Sequence, residues 1–128
     1  ARKSRGLGDV YKRQIKYGLA LGALSVSALV SAQPVVLINT FSVEPAHEAA
    51  TLTYWEDARD VLVKQPGYIS TKLHRSLSSD ATFRFINVAE WESKKHFHDA
   101  IQAMRKELPP LKIEGVSADP NLYEIIRD

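Results

Sequence analysis

The chain has 128 residues, of which 45% are hydrophobic and 25% are charged, a composition that fits one globular domain rather than a disordered chain. Its formal net charge is +2, and it contains no cysteine. The lack of cysteine excludes disulfides, thiolate nucleophiles, cysteine-based zinc sites and a lipoprotein anchor.

The charge is unevenly distributed along the chain. Six of the 17 Lys/Arg and one of the 15 Asp/Glu lie in residues 1–32, so residues 33–128 hold 11 basic and 14 acidic side chains, a net charge of about −3. The basic character therefore belongs to the first part of the chain. The remainder lacks the basic surface that is typical of a nucleic-acid-binding domain, and we expect no nucleic-acid partner.

Residues 15–32 are typical of a secretory signal peptide. Arg13 and Lys16 supply a basic n-region, residues 18–30 form an apolar h-region, and Val30-Ser31-Ala32 offers small residues for cleavage. This pattern predicts a bacterial protein exported to the periplasm or the medium, with no stable membrane insertion after cleavage. An uncleaved membrane anchor is the alternative, but the run is short and rich in Gly and Ser for a membrane span.

Residues 1–14 do not begin with Met, are basic and show no periodicity. We interpret them as a non-native leader and leave them out of the fold prediction. Residues 33–128 are then predicted to form one α+β domain.

The predicted domain begins with a strand and a helix. Residues 34–43 are apolar on both faces, so the strand is expected to be covered on both sides. Pro45 suits the first position of a helix, and Gln65-Pro66-Gly67 ends it. The apolar stripe of this helix comprises Ala49, Leu52, Trp55, Ala58 and Leu62.

The second half repeats the pattern. Residues 68–77 alternate apolar and polar, as an edge strand does, and residues 82–91 form a third strand. Ser93 is a suitable N-cap for a second helix, and residues 122–126 form a last strand. The apolar stripe of the second helix comprises Phe97, Ala100, Ile101 and Met104.

The order of elements is βαββαβ, which predicts a ferredoxin-like α+β fold with an antiparallel or mixed four-stranded sheet. Right-handed crossovers are expected to place the first and third strands side by side and parallel. Asn39 and Asn87 are then neighbours on the face that the helices cover.

At this point the sequence resembles the antibiotic biosynthesis monooxygenase (ABM) family of the dimeric α/β-barrel superfamily. The resemblance covers residues 34–127. Its motifs are Val35-Val36-Leu37-Ile38-Asn39, Glu44-Pro45-Ala46-His47-Glu48, Gln65-Pro66-Gly67-Tyr68, Asn87-Val88-Ala89-Glu90-Trp91-Glu92-Ser93 and Asp119-Pro120-Asn121-Leu122-Tyr123-Glu124.

The resemblance implies a homodimer whose two sheets close into a barrel, with a ligand cavity between each sheet and its own helices. Val36, Ile38, Ile86 and Val88 would line that barrel. It also implies a monooxygenase that oxidises a flat aromatic phenol or quinol with O₂ and needs no cofactor, neither metal nor flavin. Such a protein holds the substrate, favours its anion and excludes water.

Site residues follow from the same resemblance. Asn87 and Trp91 match the Asn-x-x-x-Trp pair of such enzymes, while the tyrosine six residues after the Trp is Phe97 here. Another branch of the family degrades haem with an Asn that matches Asn39, a Trp and a His. The Trp position falls on Ala100 and the His position near Pro110, which argues against haem degradation.

We therefore expect Asn87, Asn39 and Trp91 to be catalytic, since polar groups on an apolar face are informative. The two amides could instead fix strand register, and Trp91 could be a core aromatic rather than a surface that stacks on the ligand. Predicted substrate-binding residues are Phe41, Phe85, Phe97, Trp55 and His74, although the core is the favoured place for Phe41, Phe85 and Trp55. His74 could act as a general base or lie on a solvated edge.

No metal site is predicted, because neither helix carries a His pair at i, i+4 with a carboxylate. Three functions remain open on the sequence: the oxygenase, a non-enzymatic exported module that binds a small hydrophobic ligand, and an isomerase or quinone-handling protein on the same scaffold.

Overall fold

The computed structural model describes residues 33–128; the predicted leader (residues 1–14) and signal peptide (residues 15–32) lie outside this range. Its elements, in chain order, are β1 (Val35–Val43), a 3₁₀ turn (Pro45–His47), α1 (Glu48–Leu62), β2 (Tyr68–Arg75), β3 (Phe85–Trp91), α2 (Lys94–Arg105) and β4 (Val116–Tyr123). None of the helices in residues 33–128 is long and apolar enough to cross a membrane.

The four strands form one sheet in the order β2-β3-β1-β4, with every neighbouring pair antiparallel. The ferredoxin-like fold is confirmed, and so is the position of β1 beside β3. The expectation that these two strands run parallel is wrong. The helical crossover keeps β1 parallel to β2, and β3 returns from β2 as a hairpin to lie between them, so β3 opposes both.

Element boundaries differ from the prediction mainly in the last strand. β4 covers Val116–Tyr123 rather than residues 122–126, so Asp119-Pro120-Asn121 lies inside the strand. Pro120 has no N–H for a ladder, but β4 is at the sheet edge, where proline is tolerated. The predicted second and third strands are also shorter, because a turn occupies residues 76–84.

Ser93 caps α2 as predicted. Its backbone is extended, and its hydroxyl oxygen accepts a hydrogen bond from the backbone N–H of His96 at 3.0 Å. The same oxygen lies 2.7 Å from His96 Nδ1. The end of β3 and the start of α2 are therefore fixed together.

The core lies between α2 and the helix-covered face of the sheet. Its buried apolar residues are Leu37, Phe41, Phe85, Ala89, Trp91, Phe97, Ala100 and Met104. On the opposite face, Val36, Ile38, Ile86 and Val88 are half-buried in the single chain.

Candidate functional site

A cavity of about 660 Å³ opens between the sheet and the two helices, as the resemblance implied. This volume lies within the range of small-molecule sites. Apolar side chains dominate its walls, with Leu37 and Ala89 from the sheet and Ile101 and Met104 from α2. The cavity can therefore exclude water from a flat apolar ligand.

Asn39 and Asn87 are directly opposed in the β1–β3 ladder, on the cavity face of the sheet. Asn87 is buried, and its Oδ1 accepts a hydrogen bond from Thr71 Oγ1 at 2.8 Å. That bond orients the Asn87 amide and leaves its nitrogen available to donate. The predicted adjacency of the two asparagines is confirmed, and their amides make no hydrogen bond with each other.

Two polar atoms in the cavity wall are buried without a partner among residues 33–128. They are the Oδ1 of Asn39, an acceptor, and the Nε1 of Trp91, a donor. A buried polar group without a hydrogen bond costs about 1–3 kcal/mol. A ligand that offers both an O–H and an oxygen acceptor would recover that cost.

Comparison with known proteins identifies the family. The sequence profile of the Antibiotic biosynthesis monooxygenase family matches residues 34–104, more than half of the chain. The chain belongs to this family.

Solved structures of the ABM type agree. A candidate monooxygenase from Shewanella loihica PV-4 is 44% identical, with a TM-score of 0.70, over 77% of this chain and 99% of that chain. SnoaB, a cofactor-independent oxygenase from Streptomyces nogalater, is 20% identical with a TM-score of 0.57, over 76% of this chain and 97% of its own. The haem degrader MhuD from Mycobacterium tuberculosis, with two haems in its active site, is 20% identical with a TM-score of 0.56, over 73% and 97%.

The SnoaB and MhuD similarities show the fold alone, since both fall at 20% identity. No curated protein matches the chain. The ABM membership therefore fixes the scaffold and the general class, a monooxygenase family, while the substrate has to be argued from this chain's own cavity.

Trp91 is enclosed in this ABM domain more fully than a stacking residue would be. It is 1% exposed, and its ring makes edge contacts with Tyr68 and Phe97 at centroid distances of 5.6 and 5.8 Å. Its ring thus serves the core, and its one polar side-chain atom, Nε1, is buried without a partner among residues 33–128. Trp55 also lines the cavity and is only half-buried.

Tyr68 reaches Trp91 through an irregularity that the sequence pattern did not reveal. The β2–β3 register shifts between Tyr68 and Ser70, so Tyr68, not Ile69, packs on the helix-covered face. Ile69 is left 46% exposed.

Six of the eight predicted site residues line the cavity: Asn39, Asn87, Trp91, Phe41, Phe97 and Trp55. Phe85 and His74 do not. Phe85 is buried at the opposite end of β3 from Trp91, against Leu52 and Leu73. The structure therefore places both outside the predicted substrate-binding set.

His74 is exposed, and its Nδ1 lies 3.1 Å from the carbonyl oxygen of Ile86. This position fits the solvated edge rather than the enclosed base. Strand alternation gives the face on which Phe85 lies but not the end of the sheet. His74 lies opposite Ile86 in the ladder, on the face that the helices do not cover.

Several lining residues were missed by the sequence analysis. Thr71 orients Asn87, and the charged or polar side chains of Arg59, Lys94, His98 and Arg105 line the cavity from the helices. Lys94, His98 and Arg105 lie three or four residues from members of the apolar stripe of α2. This spacing is the sequence signal that could have identified them.

No group of three or more potential metal ligands (His, Cys, Asp or Glu) occurs in residues 33–128. His98 supplies the one imidazole among the lining side chains, and its ring lies 5.6 Å from that of Phe97.

Proposed function

We propose that the chain is a cofactor-independent monooxygenase that oxidises a flat aromatic phenol or quinol with O₂. The observation that carries this proposal is the pair of unpartnered polar atoms, Asn39 Oδ1 and Trp91 Nε1, on residues that line a mainly apolar cavity. A phenol or quinol supplies the hydroxyl donor and the second oxygen that this pair requires.

The side chains have complementary roles in this proposal. Asn39 Oδ1 accepts the hydrogen bond of a substrate hydroxyl, while the amide nitrogen of Asn87 and the indole N–H of Trp91 donate to a substrate oxygen. Donors aimed at an oxygen in a water-poor site favour its anionic form. We assign the proton that the substrate loses to His98, the imidazole among the lining side chains.

The proposed reaction needs no protein-bound redox group, because the substrate itself supplies the electrons that reduce O₂. The phenolate donates electrons to O₂, and an oxygen–carbon bond forms at an activated ring carbon. The O–O bond then breaks: one oxygen atom stays on the ring as a quinone carbonyl, and the other leaves as water with the ring hydrogen and the phenol hydrogen. The ring is oxidised and O₂ is reduced. The protein's task is to hold the ring, favour its anion and keep water out.

A second candidate, an exported binding module without enzymatic activity, is favoured by one observation. Phe97, a buried apolar residue, stands where the enzymes that the sequence resembles place a tyrosine. Among residues 33–128, no carboxylate that could act as a base lines the cavity. We retain export as a proposal that rests on the signal-like residues 15–32, and homodimerisation as one that rests on the helix-free face of the sheet.

Oxygen consumption tests the proposal. The purified protein, with metals chelated and no flavin added, is assayed against a panel of anthrones, naphthols and hydroquinones. We expect uptake with one class, and Asn87→Ala should lower kcat about 100-fold, as loss of a donor to a developing oxyanion does.

Gln102→Ala is the matched control, because this amide lies on α2, is exposed and does not line the cavity. It should leave uptake unchanged. Saturable ligand binding without O₂ consumption would reject the oxygenase and establish the binding module. Wild-type kcat in a correctly folded Asn87→Ala variant would reject the assigned role of Asn87.

A further inference from the structure

The charges that line the cavity are of one sign, although the domain as a whole is acidic. Residues 33–128 carry 14 acidic and 11 basic side chains. Three of the basic ones, Arg59, Lys94 and Arg105, line the cavity, and none of the acidic ones does. A cavity whose low-dielectric walls carry a single sign of charge attracts the opposite ion.

Two of these cations, Arg59 and Arg105, lie on the open side of the cavity. Arg59 on α1 is half-exposed, with its guanidinium 5.2 Å from the centre of the Trp55 ring. Arg105 on α2 is exposed, and its Nη1 donates to the hydroxyl oxygen of Tyr54 at 3.4 Å. The two guanidinium groups thus sit at the rim, each beside an aromatic side chain of α1, while the asparagines lie in the sheet below.

The rim cations are available to a ligand. Among residues 33–128, neither Lys94 nor Arg105 has a carboxylate within 4.0 Å. Arg59 pairs with Asp60 at 3.1 Å, but the two side chains are 39% and 65% exposed. Such an exposed pair contributes little and exchanges readily for another anion.

We propose that the aromatic ligand of this site carries a carboxylate in addition to its phenol or quinol, and that Arg59 and Arg105 select for it at the rim. This inference rests on the proposed function and names its substrate class. Arginine suits the role because its planar fork can bind a carboxylate through two parallel hydrogen bonds.

The orientation of the ligand follows. The carboxylate stays at the open side, where it keeps part of its hydration, and the ring enters between Trp55 and the apolar walls. The hydroxyl end then reaches Asn39 and Asn87. Lys94 adds positive charge at the other end of the lining face of α2, and the combined field also favours the ionised phenol that the reaction requires.

Calorimetric titration with two matched probes tests the proposal. One is 6-hydroxy-2-naphthoate, and the other is its methyl ester, which has the same ring and hydroxyl but no negative charge. We expect the acid to bind about tenfold more tightly than the ester, as a hydrogen-bonded charge contact would give. The preference should fall as the salt concentration is raised from about 0.05 to about 0.5 M, because the Debye length shortens severalfold over this range.

The variant Arg59→Gln/Arg105→Gln should abolish the preference for the acid over the ester. Its matched control is Lys64→Gln/Lys106→Gln, which removes the same charge from beside the same two helices at residues that do not line the cavity. Arg59 packs on Trp55, so its replacement could disturb the cavity wall. Lys94 is exposed, and Lys94→Gln is therefore a second variant, which should reduce the preference for the acid in part without disturbing packing.

Equal binding of acid and ester by the wild type, no binding of either probe, or an acid preference that survives Arg59→Gln/Arg105→Gln would each overturn the inference. So would an equal loss in the Lys64→Gln/Lys106→Gln control. Failure of the proposed function looks different: an arginine-dependent preference for the acid, with no O₂ uptake from any phenol, keeps the ligand class and rejects the oxygenase. O₂ uptake from neutral phenols, with no arginine-dependent preference for the acid, keeps the oxygenase and rejects the carboxylate-bearing ligand class.

Discussion

At the residue scale, the asparagine pair shows how a small apolar cavity can hold polar groups with opposite consequences for stability. Asn87 has a partner in the folded chain, the Thr71 hydroxyl at 2.8 Å. The Oδ1 of Asn39 has none among residues 33–128. One amide thus contributes to folding, while the other remains open for a ligand at a cost in stability.

Asn39→Leu should therefore stabilise the protein while weakening ligand binding. Removal of the unpartnered oxygen is expected to raise the free energy of unfolding by about 1 kcal/mol, measured by urea denaturation without ligand. Asn87→Leu is the matched comparison and should lower it by about 1 kcal/mol, because the Thr71 hydroxyl loses its acceptor. A clear loss of stability in Asn39→Leu would show that its oxygen is bonded in the folded protein.

At the element scale, the turn between α1 and β2 determines how the sheet meets α2. Gly67 has φ of +87°, a conformation that side-chain-bearing residues rarely adopt, and a Cβ there would overlap the ring of His96. The carbonyl of Gly67 also accepts a hydrogen bond from Glu92 N–H at 2.8 Å. Close contact with capped α2 thus sets the start of β2 and directs Tyr68 toward Trp91.

Gly67→Ala should destabilise the protein by more than about 2 kcal/mol, because backbone strain and the overlap with His96 add. Thermal and urea unfolding measure the change. Removal of the ring in Gly67→Ala/His96→Ala should recover the steric part and leave the strain. If the loss of unfolding free energy in the double variant equalled the sum of the losses in the two single variants, the contact with His96 would not be a cause of the destabilisation.

At the scale of the whole molecule, the sheet has one face covered by helices and one that is apolar without cover in the single chain. Val36, Ile38, Ile86 and Val88 are only half-buried there. A sheet with two apolar faces requires cover on both sides. Sheet-to-sheet association of two chains would supply it and is consistent with the barrel that the family resemblance implied.

Light scattering on the mature part, residues 33–128, should accordingly give about twice the mass of one such chain. Val88→Lys should shift the protein toward the monomer, since it places a charge on this face directly opposite Lys72 in the ladder. Thr53→Lys, on an exposed position of α1, adds the same charge elsewhere and should not. A monomeric wild type at micromolar concentration would contradict the prediction.

The sequence by itself determined the order of the elements and, except at the start of β2, the faces of the first three strands. Hydrophobic periodicity, the Ser93 cap and the Pro66-Gly67 stop were sufficient for βαββαβ, because each signal acts within a few residues of chain. Period-two alternation also placed Asn39 and Asn87 on the helix-covered face, and the βαββαβ order made them neighbours.

Only the tertiary structure decided what depends on distance along the sheet and on contacts between separate elements. Alternation does not distinguish the two ends of a strand, so Phe85 was assigned to a cavity that it does not line. His74 lies on the other face of the sheet, opposite Ile86. The register shift that turns Tyr68 inward left no pattern in the sequence. Arg59 and Arg105 line the same cavity only because α1 and α2 lie over the same sheet. A cavity is the space between elements, so the sequence of one element does not predict it.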